Sequence, residues 1–174
     1  MDVKWLIVVV VVLSLVGSVA WVMPTPLQRA QAKIRQLAMS KGLQVKVSKL
    51  QGPREAGEIA PESYLATSYG LPRAKPQRGV RPNLTASKKV TWEVFKAAGL
   101  NTQGLPQGWC WNRGEGALKS HQLDQLGPLL EQLPSDVYAL SVNPISVQAY
   151  WYERATPAEL DALESVLKAL VGDL

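Results

Sequence analysis

Only a few side chains in this sequence are of types that could do chemistry: one histidine, one cysteine and a set of carboxylates. His121 and Asp124 stand three residues apart on a predicted helix, which puts two ligand atoms on one helical face. Two donors do not make a metal centre, and no Cys/His/Asp/Glu cluster has ligand spacing, so neither a metal nor a cofactor is expected. Cys110 lies between Trp109 and Trp111 in a predicted short strand, the setting of a small core residue rather than an activated thiol. Glu159, Asp161 and Glu164 read as the first turn and solvated face of the last helix. The sequence has no Gly-x-Gly-x-x-Gly, no phosphate loop and no Gly-x-Ser-x-Gly elbow. The expectation is a non-catalytic protein with no small-molecule substrate.

The aromatic residues carry the positive signal. In a predicted last strand, Val147, Ala149 and Trp151 share one face, while Gln148, Tyr150 and Tyr152 share the other. Covering one face with helices would leave tyrosines on the open one. Tyr138, Tyr150 and Tyr152 are therefore candidates for a partner-binding patch, because Tyr is enriched where interfaces concentrate their binding energy. The alternative is that these rings are simply core.

The elements that must position such a patch begin with an apolar run. Trp5–Met23 contains no charge and is dominated by Val and Leu. As a helix it would be roughly 28 Å long, close to the ~30 Å hydrocarbon core of a bilayer. Ser18-Val19-Ala20 has the small-x-small form of a cleavage site, so a signal peptide and an exported periplasmic domain form the rival reading. Charge distribution argues for a retained anchor. Between Pro24 and Leu50 stand Arg29, Lys33, Arg35, Lys41, Lys46 and Lys49, and no acid. Positive charge close behind an apolar segment resists translocation, which places the C-terminal part in the cytoplasm. From Val90 onward the balance reverses, to five basic and ten acidic residues.

Thr25-Pro26 is a helix start, and Leu27, Ala30, Ile34, Leu37 and Ala38 recur at helical spacing up to a stop at Gly42. Arg29, Lys33, Arg35 and Lys41 are candidates for contact with anionic lipid at the membrane surface. No aromatic residue is interleaved with them, which argues against nucleic acid. Leu43, Val45 and Val47 alternate as a strand with one buried face, and residues 51–88, rich in Gly, Pro and basic residues, read as linker or loop. Val90–Phe95 and Trp109–Trp111 read as short strands. Leu123 to Leu133 is a helical pattern that Gly127-Pro128 must kink or restart. Val137–Val142 and Ile145–Tyr152 form a hairpin around Asn143-Pro144. Thr156-Pro157-Ala158-Glu159 caps a last amphipathic helix. The expected fold is α+β: an N-terminal transmembrane helix (1–25), a basic juxtamembrane helix and first strand (26–50), the linker (51–88), then a small antiparallel sheet with two helices (89–174).

Met23-Pro24-Thr25-Pro26, the basic helix to Lys41, Gly42-Leu43-Gln44-Val45, Gly108-Trp109-Cys110-Trp111 and Ala149-Tyr150-Trp151-Tyr152-Glu153 carry a resemblance. The chain resembles a group of bacterial single-pass inner-membrane proteins to which no activity is attached, some of them labelled as the translocase accessory subunit YajC. The likeness to YajC is architectural and departs after Lys41, where no Gly-Asp-x-Val-x-Thr-x-Gly-Gly run follows. It implies a single-pass protein of the bacterial inner membrane, partnered by lipid and by another membrane protein.

Overall fold

Helix ends are set locally in this chain, and the sequence marks them with capping residues. The backbone N–H of Gln28 donates to Thr25 Oγ1 (3.2 Å), and that of Thr25 donates to Gln28 Oε1 (2.9 Å), a reciprocal cap. At the far end Gly42 takes φ 83°, and Leu43 N donates to Ala38 O (3.0 Å), using carbonyls the helix leaves unpaired. Thr156 N likewise donates to Glu159 Oε2 (2.6 Å) at the start of the last helix.

The computed structural model describes residues 3–53, 63–73, 91–97, 102–154 and 156–173, apart from the side chains of 19–22 and 173. The described elements are helices α1 (Val3–Val22), α2 (Pro26–Ser40), α3 (Ser120–Glu131) and α4 (Pro157–Asp173), with strands β1 (Gln44–Gln51), β2 (Ser63–Pro72), β3 (Trp92–Phe95), β4 (Cys110–Arg113), β5 (Val137–Val142) and β6 (Ser146–Trp151). They divide between two compact units, Met1–Lys33 and Ile34–Leu174.

The first unit holds α1 and the start of α2. Every described side chain of α1 is exposed. Among the described residues no helix is long and apolar enough to cross a membrane, the side chains of α1 being described only as far as Ser18. The described residues therefore do not show the membrane-spanning part of the expected fold, whereas they do show the α+β part.

The second unit is built on a six-stranded antiparallel sheet in the order β1-β2-β6-β5-β3-β4. One face carries Tyr69, Trp92, Val94, Trp111, Leu140, Val142, Val147, Ala149 and Trp151, buried with Ile34 and Ala38 of α2, Leu126 and Leu130 of α3, and Leu160, Leu163, Leu167 and Leu170 of α4. The other face has its own small core of Leu50, Ala66, Phe95, Cys110, Ala139 and Tyr150, drawn from all six strands. Among the described residues no helix contributes to it, and the sheet curls around it. Asn112 Nδ2 donates to Gln51 O (3.0 Å) and Arg113 Nη2 to Gln51 Oε1 (3.0 Å), so the two edge strands meet at one end. Irregularities between Glu93 and Val94 and between Val137 and Ala139 supply the added twist.

Several expectations change. Ser63–Pro72, assigned by composition to the linker, is a ten-residue strand between β1 and β6. Of the rest of that linker, 54–62 and 74–88 lie outside the described residues. Val47, expected on the buried face, is 63% exposed, and Leu50 is the buried residue towards the end of β1. Pro128 neither interrupts nor restarts α3. The carbonyl it deprives of a donor belongs to exposed Asp124, where water can replace the missing N–H. The hairpin forms as read, with Asn143 Oδ1 accepting from Ile145 N (2.9 Å) and Ser146 N (2.7 Å) in the turn.

Candidate functional site: a tyrosine cluster and a buried ion pair

Four of the tyrosines come together on the side of the sheet opposite the helices. Tyr64 is near the start of β2, Tyr138 in β5, Tyr150 in β6, and Tyr152 one residue beyond β6. The β5 irregularity positions Tyr138: Val137 pairs with Trp151 and Ala139 with Tyr150, leaving Tyr138 as the extra residue between them. Its ring centroid lies 4.4 Å from that of Tyr152, 6.2 Å from Tyr64 and 6.4 Å from Tyr150. Tyr150 is buried, Tyr64 and Tyr138 are half-buried, and Tyr152 is 55% exposed. The three candidate patch residues thus form one cluster, with Tyr64 as a fourth member that period-2 alternation could not supply. One cation borders it: the Arg154 guanidinium lies 5.6 Å from the Tyr152 ring centroid. Lys96 donates its backbone N–H to Tyr138 O (2.8 Å), and its Nζ donates to Ser135 O (2.9 Å). Asp136 Oδ2 accepts from Arg154 N (3.1 Å), while its buried Oδ1 has no partner among the described residues.

Burial pushes the Tyr138 phenol well above its ordinary value, reinforced by the neighbouring phenols, and burial also raises Tyr150. Such groups stay protonated at neutral pH and act as apolar surface and hydrogen-bond donors, not as bases.

No family model, curated protein or solved structure matches the chain.

A second cluster sits on the helix side. Arg35 Nε and Nη2 donate to Glu153 Oε1 (2.7 Å) and Oε2 (2.6 Å), and Tyr69 Oη donates to the same Oε1 (2.6 Å). Glu153 is 3% exposed and takes φ 58°, a left-handed backbone that costs a non-glycine residue roughly 1–2 kcal/mol. Two charge-assisted bonds in fork geometry hold it there. The Tyr69 ring lies edge-on to Trp151 at 5.2 Å, and its phenol is raised far above the ordinary value by burial and by Glu153. Lys41 bonds Asp161 (2.7 Å) and Glu164 (3.0 Å), with Lys168 completing Glu164 at 2.6 Å. Lys168 first, and then Lys41, hold the Glu164 carboxyl below the usual carboxylate range.

These pairs place Arg35 and Lys41, candidates for lipid contact, against carboxylates of their own unit. Arg29 and Lys33 are exposed and have no such partner among the described residues. Glu164, read as solvated, is half-buried and paired, and Glu159 is part of the α4 cap. The sequence pattern assigned Glu153 no role of its own. The available signal was helical phase: Arg35 follows Ile34 directly and flanks the buried stripe. His121 and Asp124 are exposed on α3, and Cys110 is fully buried. Among the described residues no group of three or more His, Cys, Asp or Glu side chains could hold a metal ion.

The raised phenols make a pH prediction with a definite sign. An unfolded tyrosine ionises near pH 10, and Tyr69, Tyr138 and Tyr150 ionise higher when folded. Their contribution to stability is complete below about pH 10 and is lost as pH rises through the folded values. Unfolding free energy should fall above that point. In an absorbance titration at 295 nm, these three of the five tyrosines should ionise only as the fold is lost. All five titrating together near pH 10 with circular dichroism intact would contradict this.

Proposed function

We propose that this is a membrane-anchored, non-catalytic interaction module, an accessory subunit of an inner-membrane complex whose folded unit faces the cytoplasm. The observation that carries the reading is α1. Its backbone is helical for 20 residues, about 30 Å at 1.5 Å per residue. From Val3 to Val16 its large apolar side chains are 50–71% exposed on every side, with no polar face to distinguish one direction from another. A helix apolar all round needs an apolar surrounding, and a bilayer provides one. Arg29 and Lys33 behind it, against Lys4 before it, support the inward orientation of the C-terminal unit. The tyrosine cluster, with exposed Tyr152 between Tyr138 and Arg154, is the face offered to a protein partner.

One experiment addresses both parts. A photo-crosslinking amino acid replaces Tyr152, or as control the exposed Gln125 of α3, in the full chain. After irradiation, membranes are washed with alkaline carbonate. The protein should stay in the pellet, with a discrete protein adduct from position 152 and none from 125. Release by carbonate, or a mature chain starting after Ala20, would sink the anchor. A retained chain with no adduct at 152 would sink the contact face.

A further inference from the structure

We infer that Arg29 and Lys33 together form a site for the phosphate groups of anionic membrane lipids, a role that Arg35 and Lys41 do not share. The inference rests on α1 being embedded in a bilayer. The basic residues of α2 and its exit look equivalent in sequence, but helical phase sorts them. Ile34 and Ala38 are the buried residues of α2, at 6% and 0% exposure. At about 100° per residue, Arg29 and Lys33 project from the opposite side of the helix, whereas Arg35 lies beside the buried stripe. Arg35 is bidentate on Glu153, and Lys41 bridges Asp161 and Glu164. Their charge is spent within the fold.

Arg29 and Lys33 are exposed and have no carboxylate partner among the described residues, and no Asp or Glu occurs between Pro24 and Leu50 to compete for them. They are one helical turn apart, which sets their side chains roughly 6 Å from each other, close enough to share one phosphodiester or hold two adjacent ones. Only Met23, Pro24 and Thr25 separate α1 from α2, and Arg29 is the fourth residue of α2. The pair therefore belongs to the stretch that follows the apolar run directly, where attraction to an anionic surface is strongest and has not decayed over a Debye length. Lys46 and Lys49 are also exposed, but they lie on the edge strand β1, where lysine guards unpaired backbone groups.

The test uses the full chain reconstituted in phosphatidylcholine vesicles containing trace spin-labelled phosphatidylglycerol or spin-labelled phosphatidylcholine. Electron paramagnetic resonance then reads the motionally restricted lipid fraction. Phosphatidylglycerol should be preferred, by on the order of fivefold for each cation at low salt. The double variant Arg29→Gln/Lys33→Gln should lose the preference, while Lys41→Gln keeps it. An unchanged preference in the double variant, or its loss in Lys41→Gln, would overturn the assignment. So would its removal by soluble glycerol phosphate, which would identify a free-phosphate site instead. A restricted fraction without headgroup preference would refute the cation pair alone. No restricted fraction with either lipid would refute the anchor and the pair with it.

Discussion

Replacing Arg35 with alanine should destabilise the Ile34–Leu174 unit by about 3 kcal/mol, a large share of the stability of a small fold. The substitution removes both guanidinium bonds from Glu153, whose carboxylate is 3% exposed and would keep, among the described residues, the Tyr69 hydroxyl alone. Removing one partner of a buried pair leaves the other charge without compensation, typically at 3–5 kcal/mol. The lower end applies because the Arg35 side chain is 40% exposed and its bonds are partly screened. The reverse change should be milder. Glu153→Gln keeps an acceptor for Tyr69, and the orphaned guanidinium can turn to water. Urea denaturation of the full chain in mild detergent, followed by near-ultraviolet circular dichroism of the tryptophans, measures both variants. Equal losses for the two, or a loss under about 1 kcal/mol for Arg35→Ala, would mean that the pair is decoration rather than the fastening of α2 to the sheet.

Gly114→Ala should cost a similar amount for a different reason. Gly114 has φ 76°, a conformation that disfavours any side chain. A Cβ there would stand 2.6 Å from Thr91 O, 2.8 Å from Trp92 Cβ and 2.9 Å from Trp92 Cα. These atoms belong to or sit directly on the backbone at the start of β3 and cannot rotate aside. Left-handed strain of roughly 1–2 kcal/mol adds to overpacking of about 1–3 kcal/mol, so about 3 kcal/mol is expected. The fault should also show locally. Trp92 packs edge-on to Trp111 at 6.0 Å, so their near-ultraviolet signal should change before the helices melt. Gly116, at φ 75° with open space around it, is the control: Gly116→Ala meets the strain without the clash and should cost only the strain of roughly 1–2 kcal/mol. Equal losses at both positions would rule out the steric argument.

The features legible in the sequence are those whose energetics close within a few residues. Thr25 and Thr156 cap helices because each meets a side chain three positions on. Asn143 folds the β5–β6 turn with its own carboxamide oxygen, and Val147, Ala149 and Trp151 bury together because strand side chains alternate. Ser63–Pro72 escaped because Ser-Tyr-Leu-Ala-Thr-Ser-Tyr-Gly-Leu-Pro has small and polar residues on both faces. Its strand character comes from β1 and β6 on either side. The membership of Tyr64 and the turn of Tyr138 towards Tyr152 depend on an irregular step in β5, which no alternation pattern encodes.

The charges show the division most clearly. Sequence alone determined that the stretch behind the apolar run is basic and without acid, because composition is a property of the chain. Only the tertiary structure decided which of those cations are consumed and which remain available. Arg35 meets Glu153 across 118 residues of chain and Lys41 meets Glu164 across 123, whereas Arg29 and Lys33 meet no carboxylate among the described residues. Such pairings depend on where a folded sheet brings a distant carboxylate, and local spacing carries no record of that.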